Sequence, residues 1–417
     1  MTETDFILNN FSIENINNGS FTWKTPSNIA LVKYWGKQEP QIPENASISF
    51  TLDACFTLTK LEYKKLNTER SEGSQVKSKD SELSEDSLIK AKVAEQSEGL
   101  QVKSKVAEHS EDSQVKSKVA ERSRSHSFEI YFEGEKKEDF KPKIATFFKR
   151  IELYVPFLKE FEFVIKSRNS FPHSSGIASS ASGMGALALC VMSLEREINP
   201  AMTNEYFNKK ASFLARLGSG SACRSIEGPL IVWGNHPDIE GSSNLFGVKF
   251  PHKIHDNFKN YQDTILLVDE GEKQVSSTVG HQLMYDHPFA KQRFQQANEN
   301  ILKISKVLQT GDLSAFIAIV ESEALSLHAM MMTSNPYFIL MKPNTLKIIN
   351  EIWEFRAQTN SNICFTLDAG ANVHVLFPEK EKETVNNFIK SNLIQFCQEN
   401  HYICDSIGEG ATSIVNL

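Results

Sequence analysis

The 417-residue chain has few of the features that would place it in several common classes of protein. Its six cysteines include no Cys-x-x-Cys pair, which predicts reduced, buried thiols of a cytoplasmic protein. Apolar residues nowhere run to the ~20 needed to span a bilayer. Lys and Arg (45) are fewer than Asp and Glu (52), and the net charge is −7, so the sequence offers no overall basic field for nucleic acid. We therefore expect a soluble cytoplasmic protein with neither nucleic acid nor a membrane as its partner.

Residues 67–127 lack aromatic side chains and proline altogether. The motif Gln-Val-Lys-Ser-Lys begins at 75, 101 and 114, which defines a 13-residue unit that is too short for a solenoid repeat. The segment can bury too little apolar surface to offset the conformational entropy that its chain would lose on folding. We therefore expect it to be disordered or transiently helical. The segment follows a predicted strand at 55–63 and precedes another at 127–132, which predicts an insertion in the tip of a β-hairpin. An inert surface insertion and a partner-docking segment are both compatible with this composition.

The segment Phe171–Gly183 lacks the Lys-Ser/Thr of a Walker loop and the glycine spacing of a dinucleotide fingerprint, yet it is rich in small residues. It lies between a β-branched run at 161–165 and an apolar, alanine-rich run at 185–194, which predicts strand, loop and helix. A helix beginning near Ser180 would present unpaired N–H groups and a positive dipole end to an anion. The composition alone is equally compatible with a polar turn leading into an N-capped helix.

Three further loops carry residue types suited to binding anions or to proton transfer. Lys33 and Lys37 follow a strand that begins at 21–23 and is interrupted by Pro26; an edge strand with solvated lysines is the alternative interpretation. Arg224 closes a Gly/Ser-rich segment, and an arginine fork can grip a carboxylate or phosphate, although a turn with a surface arginine fits as well. Asp368 follows a short apolar strand, where an acid is well placed to take part in catalysis. Aspartate is also a common residue in an Asp-Ala-Gly turn, so a purely structural role fits as well.

The second half of the chain alternates strand and helix signals. Strands are predicted around 229–233, 245–250, 264–268, 363–367 and 373–377, and helices over 203–217, 288–309, 313–332 and 345–359.

Two resemblances arise from these loops. The order Pro-x-x-x-Gly-Ile-Ala-Ser-Ser-Ala-Ser-Gly, beginning at Pro172, resembles the ATP-binding loop of the GHMP kinase superfamily. Five motifs together are similar to those of the mevalonate diphosphate decarboxylases, in the same order: residues 28–37, the Ser-Ser-Gly-Ile-Ala-Ser-Ser loop, and residues 219–225, 276–280 and 366–372. This resemblance covers nearly the whole chain apart from the N-terminal lead-in and the repeat.

The resemblance implies ATP-dependent decarboxylation of mevalonate 5-diphosphate to isopentenyl diphosphate, with ADP, phosphate and CO2 released and Mg²⁺ bridging the ATP phosphates. It implies that Asp368 is a base or orienter at the C3 hydroxyl, that Lys33 counters charge and that Arg224 grips the carboxylate. Implied substrate contacts, beside Arg224, are Tyr34, Lys37, Ser219, Gly220, Ser221 and Ser277. Implied ATP contacts are Ser174, Ser175, Gly176, Ala178, Ser179, Ser180, Ala181 and Ser182. The residues that would hold the metal are left unassigned.

The fold that the resemblance implies is an α+β, two-domain GHMP-kinase-like fold with the active site in the interdomain cleft. Its parts are a polar lead-in (1–20), a ribosomal-protein-S5-like α/β domain (21–228) interrupted by residues 67–127, and a C-terminal α/β sandwich (229–417). The family also implies a homodimer. Ala371 departs from the family pattern, which has proline there, and this change should loosen the turn after Asp368.

Two other functions fit parts of the pattern. A sibling mevalonate or phosphomevalonate kinase or decarboxylase would share the ATP loop. A non-catalytic sensor of ATP and metabolite would bind both ligands and use the repeat to dock a partner, but it would have no need of Asp368.

Overall fold

The computed structural model describes residues 1–66, 126–173, 177–271 and 277–414, with residues 277 and 278 as backbone only. Met1–Lys65 and His126–Leu417 form one compact unit. Nearly all of the predicted insertion, residues 67–125, lies outside the described residues. All six cysteines are free, and only Cys404 among them is exposed.

The chain up to residue 233 forms most of one mixed sheet, a separate two-stranded sheet (residues 37–38 and 42–43) and the helices that pack on the mixed sheet. The strands are β1 (Asn18–Val32), β2 (Lys37–Gln38), β3 (Ile42–Pro43), β4 (Ser47–Lys65), β5 (Ser127–Phe132), β6 (Glu135–Lys136), β7 (Phe161–Asn169) and β8 (Leu230–Trp233). The helices are α1 (Lys141–Ile151), α2 (Ser179–Ile198) and α3 (Asn204–Gly218), followed by a 3-10 turn (Gly220–Ser225).

The remaining residues add two strands to that sheet and form a second, four-stranded sheet with helices against it. The strands are β9 (Val248–Lys249), β10 (Gln262–Leu266), β11 (Cys364–Thr366), β12 (Val373–Phe377), β13 (Tyr402–Ser406) and β14 (Thr412–Ser413). The helices are α4 (Ser277–Gln282), α5 (Ala290–Thr310), α6 (Leu313–Met332), α7 (Pro343–Thr359) and α8 (Lys382–Phe388).

The first sheet contains strands from both sides of the predicted domain boundary. The first sheet has the order β14-β1-β4-β7-β5-β6, with β8 beside the start of β4 and β9 beside β8; the second has the order β11-β12-β10-β13. One apolar cluster combines Ile29 and Phe50 of the first sheet with Ile265, Ile301 and Val320 of the second half. The mixed α/β architecture agrees with the predicted fold class, while the division at residues 228 and 229 stays a prediction.

The predicted interruption of the first strand is a bulge. β1 pairs with β4 in antiparallel fashion over its whole length, with Trp23 opposite Thr59, and the register shifts between Pro26 and Asn28. Proline has no N–H to donate to the ladder, so the strand accommodates it by a local irregularity and then continues. Lys33 consequently follows the last residue of a long, anchored strand.

The prediction that the repeat lies in the tip of a β-hairpin is wrong. β4 and β5 do not pair with each other, because β7 lies between them, antiparallel to β4 and parallel to β5. A strand that arrives later in the chain can pair with both flanking strands, and local alternation cannot reveal it.

Removal of the repeat is expected to preserve activity. Lys65 lies opposite Phe161 and Ser127 opposite Glu162, so the ends to be joined are two strand spacings apart, roughly 10 Å. Replacing residues 67–125 by about eight Gly/Ser residues should keep kcat and KM within about 2-fold, since loop closure depends only weakly on length. Steady-state kinetics of this variant, beside one carrying a scrambled repeat of the same length, check the prediction; a large rate loss in both would make the repeat part of the enzyme.

Helix α6 combines an apolar composition with buried acids. By length and composition it could cross a membrane, but about half of it is buried inside the protein, as in the core helix of a soluble protein, which can have the same length and composition. Glu321 and Glu323 on this helix are both buried and ion-paired, with Arg356 and Arg293 respectively. The exclusion of a membrane partner stays a prediction.

Candidate active site

An ion pair joins the two sheets at the centre of the site. The Lys33 ammonium nitrogen lies 3.0 Å from Asp368 Oδ1, and the side chains are 2% and 27% exposed. Burial lowers the pKa of Lys33 below its usual value, while the negative charge of Asp368 opposes this shift. The alternative of a solvated edge strand is therefore wrong for Lys33, because its charge is buried against a carboxylate from a distant loop.

Arg224 lies on the 3-10 turn after α3 and is 4% exposed, so the alternative of a surface arginine is wrong. One terminal nitrogen donates to Ser47 Oγ at 2.5 Å, and the buried Nε has no hydrogen-bond partner. Burial lowers the pKa of Arg224, while the charge of Asp368 raises it. A buried guanidinium N–H without a partner is costly, so this site is suited to an incoming anion.

The loop after Lys33 places an aromatic ring and a second buried lysine in the site. The ring of Tyr34 lies 4.7 Å from Trp233 and 4.3 Å from His281, and its buried hydroxyl has no hydrogen-bond partner. Lys37 Nζ donates to Gln41 Oε1 at 2.9 Å. Burial lowers the pKa of Lys37.

The Ser219–Ser221 segment comes close to these side chains because residue 220 is glycine. A Cβ on Gly220 would lie 2.8 Å from the Trp233 ring and 2.9 Å from the Tyr34 hydroxyl. Asn28 fixes the same segment by donating to Ser225 Oγ at 2.8 Å and to the Ser221 carbonyl at 3.2 Å. Sequence reasoning gave Asn28 no role, although it begins the first of the five motifs.

The N-terminus of α2 carries no side-chain cap, so the alternative of an N-capped helix is wrong. Its N-cap residue, Ala178, is in the left-handed region with a φ of 46°. Ser179, Ser180 and Ala181 line the same cavity as Lys33, and Lys143 Nζ donates to Ser180 Oγ at 2.8 Å. The N-terminal end of the helix therefore adjoins this cavity together with a lysine that sequence reasoning missed.

Five of the predicted residues are not placed in the cavity. Ser182 is fully buried, and its hydroxyl bonds to that of Thr57 at 2.6 Å instead of lining the cavity. Ser174, Ser175 and Gly176 lie outside the described residues. Ser277 begins α4, but its side chain is not described.

A single cavity of about 570 Å³ connects these parts. Its polar part holds Lys33, Tyr34, Lys37, Ser219, Gly220, Ser221, Arg224 and Asp368. Strands β5 and β7 and helices α1 and α2 add an apolar part, which sequence reasoning missed: Ile130, Phe132, Ile144, Ile165, Met184 and Leu187. Among the described residues, Asp368 is the one acid lining the cavity.

His281 is a further cavity residue that the sequence did not reveal. Its Nδ1 accepts the Gly36 N–H at 3.0 Å, and its ring lies 4.6 Å from that of Trp35. Burial, with the nearby charges of Lys37 and Arg224, lowers its pKa to about 3. The ring is therefore neutral near pH 7, and its proton is on Nε2 because Nδ1 accepts.

Two family descriptions match the chain over its two halves. The diphosphomevalonate decarboxylase-like N-terminal domain matches residues 25–112 and 102–244, which together make up more than half of the chain. The mevalonate 5-diphosphate decarboxylase C-terminal domain matches residues 264–411. The chain belongs to the diphosphomevalonate decarboxylase family.

Curated diphosphomevalonate decarboxylases are similar to the chain at moderate identity. The Ganoderma lucidum enzyme is 26% identical over 88% of this chain and 81% of its own length, and the Debaryomyces hansenii enzyme is 28% identical over 86% and 79%. The match to the Aspergillus fumigatus enzyme, at 29% identity, spans 57% of each chain.

Solved structures of diphosphomevalonate decarboxylases share the fold. The Staphylococcus aureus enzyme superposes with a TM-score of 0.70 at 22% identity, covering 95% of this chain and 98% of its own. A complex described as MDDEF with MVAPP, AMPPCP and magnesium gives a TM-score of 0.70 at 23% identity, covering 96% and 100%. The fold predicted from the resemblance is thereby confirmed.

Proposed function

We propose that this chain catalyses the ATP-dependent decarboxylation of mevalonate 5-diphosphate to isopentenyl diphosphate, releasing ADP, phosphate and CO2. The observation that carries the proposal is the ion pair between the buried Lys33 and Asp368, which lines one cavity with Arg224 and the N-terminus of α2. Membership of the decarboxylase family supports the same reaction.

Asp368 is the proton acceptor of the first step. The C3 hydroxyl oxygen forms a bond to the γ-phosphorus of ATP, ADP leaves, and the hydroxyl proton goes to Asp368. Phosphoryl transfer has a loose transition state, so orienting the hydroxyl matters at least as much as basicity. The Lys33 ammonium, 3.0 Å from Asp368, favours the ionised carboxylate and counters negative charge as it moves.

Arg224 holds the substrate carboxylate for the second step. The C3–O bond breaks with phosphate as leaving group, the carboxylate C–C bond then breaks, and its electron pair forms the new C=C bond as CO2 departs. Arg224 has one terminal nitrogen on Ser47 and an unpaired Nε, so a carboxylate supplies the missing acceptor. The planar fork also fixes the orientation of that carboxylate.

The remaining cavity residues bind the phosphates. Lys37, the Tyr34 hydroxyl and the Ser219–Ser221 segment surround the position proposed for the substrate diphosphate, with the neutral Nε2–H of His281 as a further donor. The N-terminus of α2 and Lys143 face the ATP phosphates, and the apolar part of the cavity takes the adenosine end.

Magnesium would be held in this site through ligands that it shares with ATP. The described residues contain no group of three or more His, Cys, Asp or Glu side chains that could hold a metal ion. Mg²⁺ dehydrates reluctantly and often binds through substrate phosphates. When bound, it supplies neutralisation of the ATP phosphate oxygens.

The proposal is tested by measuring labelled CO2 and ADP from the purified protein with Mg-ATP. Mevalonate 5-diphosphate, mevalonate 5-phosphate and mevalonate are compared. We expect equal amounts of CO2 and ADP from the diphosphate alone. ADP without CO2 would indicate a sibling kinase, and neither product would indicate a sensor; either result overturns the proposal.

The proposal includes a homodimer working in the cytoplasm, as the family resemblance implies. Sedimentation equilibrium should give twice the chain mass of 47.0 kDa, and a monomer would contradict the dimer. Fractionation of the source cells tests the location.

A further inference from the structure

We infer that helix α6 positions both members of the catalytic ion pair, Glu323 holding the backbone of Lys33 and His328 holding the backbone of Asp368. The inference rests on the proposed function and deepens it. Neither Glu323 nor His328 lines the cavity. Both act through another residue, so they are positioning residues.

Glu323 binds the Lys33 backbone as part of a saturated buried network. Its side chain is fully buried, and its Oε2 accepts the Lys33 N–H at 2.8 Å. Arg293 pairs with both carboxylate oxygens, and Asn300 Nδ2 donates to Oε1 at 2.7 Å. A buried carboxylate is stable only when its lone pairs are satisfied, and here both oxygens receive charge-assisted or amide donors.

The backbone carbonyl of Lys33 is also hydrogen-bonded, as its N–H is. Asn45 Nδ2 donates to it at 3.0 Å, and Arg293 donates to it at 3.4 Å. Arg293 therefore contacts Glu323 and Lys33 together, which couples α5 and α6 to the end of β1. Because the N–H and the carbonyl of Lys33 are both hydrogen-bonded, the backbone position from which its flexible side chain extends is fixed.

His328 performs the matching task for Asp368. It is 1% exposed, and its Nε2 lies 3.1 Å from the Asp368 carbonyl oxygen. A carbonyl can only accept, so Nε2 must carry the proton. Burial lowers the pKa of His328 to about 4, which leaves a neutral ring with one N–H for this bond.

One rigid element thereby links two catalytic residues that come from different sheets. Glu323 and His328 are five residues apart on α6, which corresponds to about 7.5 Å along the helix axis. Lys33 follows β1 and Asp368 follows β11, and these strands do not pair. A helix hydrogen-bonded to both loops fixes their separation, and a misplacement of ~1 Å at a reacting group can cost ~10²-fold in rate.

The test compares three single variants in the full-length protein. Glu323→Gln and His328→Leu should lower kcat about 10- to 100-fold, with the KM for each substrate within about 2-fold. His328→Gln keeps an N–H near the position of Nε2 and should recover most of the loss. Steady-state kinetics and thermal unfolding are measured for each.

Glu321→Gln is the matched control on the same helix. Glu321 is also buried and is paired with Arg356 at 2.7 Å and with Trp353 at 2.9 Å, but it contacts neither catalytic residue. The Glu321→Gln variant should be destabilised about as much as Glu323→Gln, but it should retain the wild-type kcat. Equal kcat losses in Glu321→Gln and Glu323→Gln, or no kcat loss in Glu323→Gln and His328→Leu, would overturn the inference.

The wild-type protein separates this inference from the proposed function. CO2 release by the wild type with unchanged kcat in the variants leaves the function standing and removes the positioning role. If the wild type releases no CO2, the function fails, and the NMR signal of the Lys33 ammonium becomes the readout. A shift of that signal in Glu323→Gln and His328→Leu but not in Glu321→Gln supports positioning, and an unchanged signal overturns it.

Discussion

Asp368→Asn is expected to lower turnover by several orders of magnitude while the fold and ATP binding persist. The amide has nearly the shape of the carboxylate, but it cannot accept the C3 hydroxyl proton, and it leaves the buried Lys33 ammonium without its counter-charge. A positioned proton acceptor alone is worth about 10²- to 10⁴-fold. Single-turnover release of ADP and CO2 gives the rate, and calorimetry with an ATP analogue gives the binding constant.

The control for this variant is Asp256→Asn. Asp256 is an exposed acid whose partner, Lys259, lies 2.7 Å away on the surface, so its loss should leave the kinetics unchanged. Turnover within 10-fold of wild type in Asp368→Asn would remove the assigned role of Asp368. Loss of ATP binding in the same variant would mean that the substitution had disturbed the site as a whole.

Arg224→Lys is expected to lower kcat/KM for mevalonate 5-diphosphate by about 10²-fold or more, since breaking a buried, hydrogen-bonded charge pair is costly. A lysine ammonium is a point charge on a flexible stem, and it cannot bond Ser47 and grip a carboxylate with fixed orientation as the fork does. The KM for ATP should change little, because the α2 end of the cavity is untouched. Initial rates over a grid of both substrate concentrations separate the two effects.

Arg356→Lys provides the comparison for that substitution. Arg356 pairs with Glu321 at 2.7 Å, outside the cavity, so replacing it makes the same chemical change without touching the site. Near-normal kinetics in Arg224→Lys would show that Arg224 does not hold the carboxylate. The same loss in Arg356→Lys would show that the effect is one of stability.

Ala371 stands where the family has proline, and a tertiary hydrogen bond there can replace the local rigidity that proline would give. The sequence predicts a looser turn because the family has proline there. In the structure the Ala371 carbonyl accepts a hydrogen bond from Thr345 Oγ1 at 2.7 Å, and Asn372 bonds to both the N–H and the carbonyl of Asp269. The turn after Asp368 is therefore tied to α7 and to the end of β10.

Local patterns in the sequence predicted several of the elements, and the family resemblance indicated the reactive side chains. Alternation and apolar periodicity predicted α6 at 313–332 and β12 at 373–377 with the bounds that the structure has. The resemblance of the five motifs to those of the decarboxylases brought forward Lys33, Arg224 and Asp368, because local composition alone left each of them open to an ordinary structural interpretation.

Only the tertiary structure decided which of these residues meet and what holds them. Lys33 and Asp368 are 335 positions apart, Lys33 and Glu323 are 290 apart, and Gly36 and His281 are 245 apart. The periodicity of apolar residues depends only on residues that are near one another in the sequence, so it carries no information on contacts between residues hundreds of positions apart. The insertion of β7 between β4 and β5 and the burial of Glu323 are likewise set by long-range packing, where the need to satisfy buried charges selects partners from anywhere in the chain.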